Sequence, residues 1–130
     1  MKLFSEEWSQ TLLDKLNSSK DFYSAAQGLR WSVVLSVTEN SSDKSIFINF
    51  EDGKCKSAAD ASPTDLESTE FIISASKDSW ENLLTGKLDP MMAVMTKKLE
   101  LKKGNVGGLM KYIEAAKELF KSAKQITTEY

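Results

Sequence analysis

The hydrophobic pattern of this chain changes its period, and that change limits the folds open to it. From residue 29 to 37 every second side chain is apolar: Leu29, Trp31, Val33, Leu35 and Val37. Because successive side chains of a strand point to opposite faces, this spacing predicts a strand with one buried face. Similar alternation predicts further strands over 46–50, 69–76 and 98–102, with a weaker alanine- and serine-rich one over 54–60.

Other segments repeat their apolar residues at the helical spacing of three and four. This spacing predicts helices over 4–19 and 21–27, two short helices on either side of Gly86–Pro90, and a long final helix that begins within Gly104–Gly108. Helices, a run of strands, more helices, one strand and a last helix together predict an α+β fold. The chain has 130 residues and no long linker, so we expect a single domain over 1–130.

Short polar motifs mark where these elements begin and end. Asp52-Gly53 predicts a tight hairpin. Asp78 with Glu81 three residues later fits a capping box, and Asp89-Pro90 fits a second helix start. Glu39–Asp43 and 61–68 are predicted to be a polar turn and a loop.

Composition excludes several classes of function. A formal net charge of −2 gives no overall attraction to nucleic acid, and the chain contains no histidine, the commonest general base and metal ligand. One cysteine, Cys55, cannot form an internal disulfide, which favours a reducing compartment. No apolar run near Met1 suits a leader or a membrane span. We therefore expect a cytoplasmic protein with no cofactor, no metal and no nucleic-acid partner.

The glycine segment Lys103–Gly108 precedes the predicted final helix, where backbone N–H groups could approach a phosphate. Val106 stands where the dinucleotide pattern needs glycine, and Leu109 follows Gly108 where the P-loop needs lysine. A structural turn is the favoured interpretation; a bound carboxylate or CoA phosphate is the alternative.

Catalytic candidates are few. Cys55 lies in a predicted strand and has no histidine to activate it. Adjacent carboxylates such as Glu6 and Glu7 fall in the first turn of a helix, where the helix dipole explains them. The sequence therefore does not predict an enzyme.

From a helix cap at Asp78 to Gly104 the chain combines an apolar helix, a Gly-Lys-Leu-Asp-Pro turn, a short helix and a strand that ends at glycine. The residues that form this motif are Asp78, Trp80, Leu83, Gly86, Lys87, Leu88, Asp89, Pro90, Ala93, Lys98, Leu99, Leu101 and Gly104. The motif resembles the signature of the sterol carrier protein type 2 family, and the resemblance extends more weakly over nearly the whole chain. Two positions depart from the family pattern: Lys97 stands where glycine is usual, and Val94 where phenylalanine often points inward.

The resemblance implies a five-stranded, mostly antiparallel sheet with about five helices on one face, enclosing an apolar tunnel. It implies non-catalytic binding, transfer or presentation of a hydrophobic small molecule: a fatty acid, fatty acyl-CoA, sterol or isoprenoid-like chain. Because burying each CH₂ contributes roughly 0.8 kcal/mol, such a tunnel would bind chains with few polar contacts and broad specificity.

The predicted lipid-binding residues come from four predicted elements, with the last helix as a moving lid. They are Phe71, Ile73, Trp80, Leu83, Leu84, Met91, Met92, Met95, Leu109, Met110, Ile113 and Phe120. Methionine adapts to irregular apolar shapes, which suits a pocket for flexible chains, but ordinary core filling explains the methionines equally well.

Two other functions stay open at this point. One is a protein-interaction or assembly module of the same fold with a filled core, and the other, much less favoured, is an acyl-transferring or hydrolysing enzyme. Transient membrane contact through the lysines around the last strand, a homodimer and a partner enzyme also stay open.

Overall fold

A computed structural model describes residues 2–28, 30–37 and 45–128. Within these ranges the chain forms five strands and seven helical segments. The strands are β1 (Arg30–Val37), β2 (Ser45–Glu51), β3 (Lys54–Asp60), β4 (Phe71–Ala75) and β5 (Leu99–Lys103). The helices are α1 (Glu6–Ser18), α2 (Lys20–Ala26), α3 (Pro63–Ser68), α4 (Lys77–Leu84), α5 (Pro90–Met95), α6 (Val106–Met110) and α7 (Ile113–Ala123). The predicted α+β class is confirmed.

The strands form one sheet in the order β3-β2-β1-β4-β5. β1 pairs with β4 in parallel, and the other three pairings are antiparallel. The prediction of a five-stranded, mostly antiparallel sheet is therefore confirmed. Asp52 and Gly53, both with positive φ (51° and 78°), form the turn between β2 and β3, as their sequence predicts.

One face of the sheet carries the alternating apolar residues. The register sets Trp31 opposite Phe50, Val33 opposite Ile48, and Leu35 opposite Ile46, and all six side chains are buried. They belong to one core cluster with side chains from the helices, including Leu12 of α1, Phe22 of α2, Trp80 of α4 and Phe120 of α7. Helices α1, α2, α4 and α7 thus cover the face that the period-two pattern marks as apolar.

Three predictions about the helices are wrong in detail. Residues 61–68, predicted as a loop, contain α3, which begins with a capping box between Ser62 and Asp65. The N-cap of α4 is Ser76, whose hydroxyl accepts from the Ser79 N–H, so the predicted capping box from Asp78 to Glu81 does not form.

The predicted single final helix is two helices, α6 and α7, separated at Lys111 and Tyr112. Tyr112 is the N-cap of α7 and makes no capping hydrogen bond through its side chain. The predicted Glu39–Asp43 turn and the strand position of Leu29 lie outside the described residues.

Candidate functional site

A cleft of about 240 Å³ opens between the α4–α5 connection and α7, and we call it the α4–α7 cleft. The residues that line it are Leu83, Gly86, Leu88, Asp89, Lys117, Phe120 and Lys124. Leucine and phenylalanine side chains form its floor. The two lysines and one aspartate, all exposed, stand at its rim.

The tight turn after α4 shapes one wall of the cleft. Gly86 has a φ of 84°, and the N–H groups of Lys87 and Leu88 both donate to the Asn82 carbonyl, at 2.9 and 3.0 Å. Asp89 then caps α5 by accepting from the N–H groups of the next helical turn. A Cβ on Gly86 would lie 3.1 Å from Lys124 Nζ, so the absence of a side chain lets this lysine lie across the turn.

The floor of the cleft is continuous with the hydrophobic core. Phe120 is 8% exposed and stacks on the fully buried Trp80, with ring centroids 6.2 Å apart. The Trp80 indole N–H donates to the Ser36 carbonyl at 2.9 Å, and Phe4 packs edge-on against the same ring. Parting α7 from α4 would therefore open a path from the solvent into the core.

A second aromatic cluster lies further along the sheet, under the junction of α6 and α7. Trp31 stacks between Phe50 and Tyr112, with centroid distances of 4.4 and 5.1 Å. Its indole N–H is buried and has no hydrogen-bond partner among the described residues. The Tyr112 hydroxyl donates to the Arg30 carbonyl at 3.3 Å, and burial raises the pKa of this phenol, with a further contribution from the nearby Glu70.

The glycine segment before α6 has a packing explanation. A Cβ on Gly104 would lie 2.5 Å from the Phe71 ring, so only glycine fits there without a shift. The Gly108 N–H, one of the groups that an anion would use, already donates to the Asn105 side chain. These contacts favour the structural turn over a phosphate site.

The groups that could carry reaction chemistry are dispersed or inert. Burial raises the pKa of the Cys55 thiol to about 12, which keeps it protonated and poorly nucleophilic. Within the described ranges, no three Cys, Asp or Glu side chains gather as a metal site would require. No helix in that part of the chain is long and apolar enough to cross a membrane.

Comparison with known proteins decides the family. A family model described as the SCP-2 sterol transfer family matches residues 4–117. The chain belongs to this family. No curated protein sequence matches the chain.

Solved structures agree with the SCP-2 assignment. A crystal structure of sterol carrier protein 2 is 31% identical, with a TM-score of 0.86, and the match covers 97% of this chain and 100% of that one. A solution structure of a conserved hypothetical protein from Thermus thermophilus is also 31% identical, with a TM-score of 0.85, covering 99% of this chain and 92% of that one. Sterol carrier protein 2 from Aedes aegypti, solved with palmitate, shares the fold at 17% identity and a TM-score of 0.59, covering 94% and 98%.

Half of the predicted lipid-binding residues lie together in the core of this SCP-2 domain. Phe71, Ile73, Trp80, Leu83, Leu84 and Phe120 are all buried and belong to one cluster. Leu83 and Phe120 also line the α4–α7 cleft. Met91 and Ile113 are half-buried.

The other methionines lie at the surface of the domain. Met92 is 51% exposed, Met95 73% and Met110 44%. In this conformation they face solvent and do not line the α4–α7 cleft. The side chain of Leu109 lies outside what the structure describes. The role of all twelve predicted residues in lipid binding stays a prediction.

The sequence reasoning missed the polar rim of the cleft. Lys117 and Lys124 flank Phe120 at spacings of three and four, which puts all three on one side of α7. The sequence shows this spacing, but it does not show that the α4–α5 connection lies across the cleft from this side of α7. Leu88, which belongs to the Gly-Lys-Leu-Asp-Pro turn, also lines the cleft.

Proposed function

We propose that this SCP-2 domain is a non-catalytic carrier that binds lipids with an acyl chain and an acidic head group, and transfers or presents them. The observation that carries the proposal is the α4–α7 cleft, which combines an apolar floor leading to the core with two lysines at its rim. Family membership supports lipid binding in general. The head group and the route of entry are our additions.

The acyl chain would enter where Phe120 stacks on Trp80. The cleft measures about 240 Å³, below the roughly 300–1,000 Å³ of typical small-molecule pockets, so a long chain requires α7 to move away from α4. An aromatic pair of this kind contributes about 0.5–1.5 kcal/mol beyond its burial. Two or more buried CH₂ groups, at about 0.8 kcal/mol each, would offset that loss.

The head group would stay at the rim beside α7. Lys117 and Lys124 are exposed ammonium groups, and the 3.8 Å contact between Lys117 and Glu114 is a surface pair of little strength. Asp89 stands on the opposite wall and would repel an anion there. This arrangement favours a carboxylate or acyl-CoA over the neutral hydroxyl of a sterol. The palmitate bound to the Aedes aegypti protein of the same fold supports this class of ligand.

Native mass spectrometry of the purified protein, followed by extraction and displacement of a fluorescent fatty acid, tests the proposal. We expect a bound long-chain lipid, and displacement of the probe by palmitate at lower concentration than by methyl palmitate. Replacing both Lys117 and Lys124 by glutamine should remove that preference. A preference that survives the double substitution would argue against the lysine rim.

The cleft itself is tested by Leu88→Trp, which adds bulk at its floor. Displacing even two CH₂ groups of the ligand should weaken fatty-acid affinity about tenfold. The matched control is Leu66→Trp, because Leu66 is partly exposed and lies with Ser36 and Ile72 in a groove at the other face of the sheet. Equal affinity of the two variants would move the entry route elsewhere.

One observation favours a second candidate, an interaction module with a filled core. The space between sheet and helices is occupied by fully buried large side chains, among them Trp8, Trp80, Phe4, Phe22 and Phe50. A protein purified without lipid that also fails to displace the fluorescent probe would support this alternative.

A further inference from the structure

The turn from α4 into α5, and from α5 into β5, exposes an apolar and basic surface that the cleft does not use. Met92 and Met95 are 51% and 73% exposed and stand three residues apart, hence on the same side of α5. Large exposed apolar side chains side by side on one short helix are unusual for a surface that meets only water.

Exposed lysines bracket these methionines along the chain. Lys87 precedes α5, and Lys97 and Lys98 follow its C-cap residue, Thr96. Two acidic side chains are close to them along the chain: Asp89 caps α5, and Glu100 pairs with Lys102 at 2.8 Å. We call Lys87, Met92, Met95, Lys97 and Lys98 the docking face.

Lys97 stands in a backbone conformation that normally selects glycine. Its φ is 61°, and the N–H groups of Lys97 and Lys98 donate to the carbonyls of Val94 and Ala93, at 3.2 and 2.9 Å. This is the left-handed residue that ends a helix in a Schellman-type cap, where a side chain is disfavoured. The conformation of the turn therefore disfavours a side chain at the position where this exposed lysine stands.

We propose that the docking face binds the surface of anionic phospholipid bilayers. Methionines would enter the boundary between head groups and acyl chains while the lysines contact the lipid phosphates and carboxylates, a combination typical of interfacial helices. Leu88 and Asp89, at the start of α5, also line the α4–α7 cleft, so docking would hold the cleft mouth at the membrane. This role of docking in lipid exchange rests on the proposed function.

Co-sedimentation with vesicles tests the inference without any fatty-acid ligand. Vesicles of phosphatidylcholine alone are compared with vesicles that also contain phosphatidylserine, at low and high salt. We expect binding to the anionic vesicles only, and weaker binding at high salt as the charges are screened. Binding that is equal on both vesicle types, or absent from both, would overturn the proposal.

Substitutions on the docking face separate charge from structure. Lys97→Gly removes a charge while relaxing the left-handed residue, so its melting temperature should rise while its vesicle affinity falls about fivefold. Lys54→Gln, on the opposite edge of the sheet, is the matched control and should bind as the unmodified protein does. An unchanged affinity of Lys97→Gly would contradict the role of its charge.

The double variant Met92→Gln and Met95→Gln tests the apolar part of the docking face in the same vesicle assay. Loss of the two methionine side chains should weaken vesicle binding, whereas Leu66→Gln, at the other face of the sheet, should not. If the methionines instead bind a second copy of this chain, sedimentation will detect a dimer that the double variant abolishes, which would overturn the membrane assignment. Fatty-acid uptake in solution is a separate readout: Lys97→Gly should retain it, so a failure of docking is distinguishable from a failure of the proposed function.

Discussion

At the scale of single residues, two buried tryptophans differ in one hydrogen bond. Trp80 donates its indole N–H to the Ser36 carbonyl at 2.9 Å, whereas the N–H of Trp31 has no partner among the described residues. A made hydrogen bond contributes about 1 kcal/mol to stability, and a buried unsatisfied donor costs about 1–3 kcal/mol. The two residues are similar in size and burial, so they form a matched pair.

Substituting each of them by phenylalanine should therefore affect stability unequally. Both variants lose the same volume, but Trp80→Phe removes a satisfied donor and Trp31→Phe removes an unsatisfied one. We expect the free energy of unfolding of Trp80→Phe to fall further, by about 2–4 kcal/mol, in urea titrations. Equal losses would mean that the Trp31 N–H finds a partner in solution, such as water or a bound lipid oxygen.

Alanine substitutions at Gly104 and Gly28 would distinguish the stability cost of backbone strain from the cost of steric crowding. Both have positive φ, 87° and 79°, but a Cβ on Gly104 would lie 2.5 Å from the Phe71 ring, whereas one on Gly28 would meet nothing within 4 Å. Gly28→Ala should cost about 1–2 kcal/mol from strain alone. Gly104→Ala should cost more, because the Phe71 ring must also shift. Urea titrations that gave the two variants equal stability would show that this ring moves freely.

At the scale of elements, the sequence predicts best where burial imposes a period. The alternation in β1 and β2 predicted strands because these residues face a core. α3 was missed because none of its residues is buried, so it has no apolar stripe; only the local motif of Ser62, Pro63 and Asp65 marks it. The apolar stripe of the last helix runs on through the break at Tyr112, and so it could not reveal that α6 and α7 are separate.

The candidate site shows the same limit. The helical spacing identified Trp80, Leu83 and Phe120 as apolar-face residues, and they do lie in the core beside the cleft. The same spacing indicated an apolar face for Met92 and Met95, which are exposed. A period indicates that one side of a helix is apolar, but not whether the fold supplies a surface to cover it.

Helix α1 packs against β3, one of the two edge strands of the sheet. Asn17 of α1 makes two hydrogen bonds to the backbone of Cys55 in the edge strand β3. Its Oδ1 accepts from the Cys55 N–H at 2.8 Å, and its Nδ2 donates to the Cys55 carbonyl at 3.1 Å. Among the described residues, the Gln10 side chain bonds β3 once, donating from Nε2 to the Ala58 carbonyl at 3.1 Å. Uncovered strand edges invite pairing with other chains.

Asn17→Ala should accordingly cost about 1–2 kcal/mol of unfolding free energy, and Gln10→Ala about half as much, because two bonds are lost in the first variant and one in the second. Asn17→Ala should also aggregate more readily on mild heating, as light scattering would detect. If the order of the two variants is reversed, the Asn17 contacts do not hold the edge in solution.

At the scale of the whole molecule, the proposed carrier function and the stability of the fold involve the same contacts. The stack of Phe120 on Trp80 lies between the α4–α7 cleft and the core, and in the proposed function a lipid chain would replace that contact. A ligand that binds only the folded state stabilises it by about 2.7 kcal/mol at one hundred times its Kd. For a chain of 130 residues, that corresponds to a rise in melting temperature of roughly 10 °C.

Thermal unfolding with and without palmitate therefore distinguishes the two candidate functions. The melting temperature of a carrier should rise by roughly 10 °C with palmitate. The variant Leu88→Trp, which adds bulk to the cleft, should show a smaller rise at the same palmitate concentration. Leu66→Trp, changed at the other face of the sheet, should gain as much as the unmodified protein. A filled-core interaction module has no site for the chain, so its melting temperature would not depend on palmitate. An equal gain in all three proteins would indicate that palmitate binds outside the α4–α7 cleft.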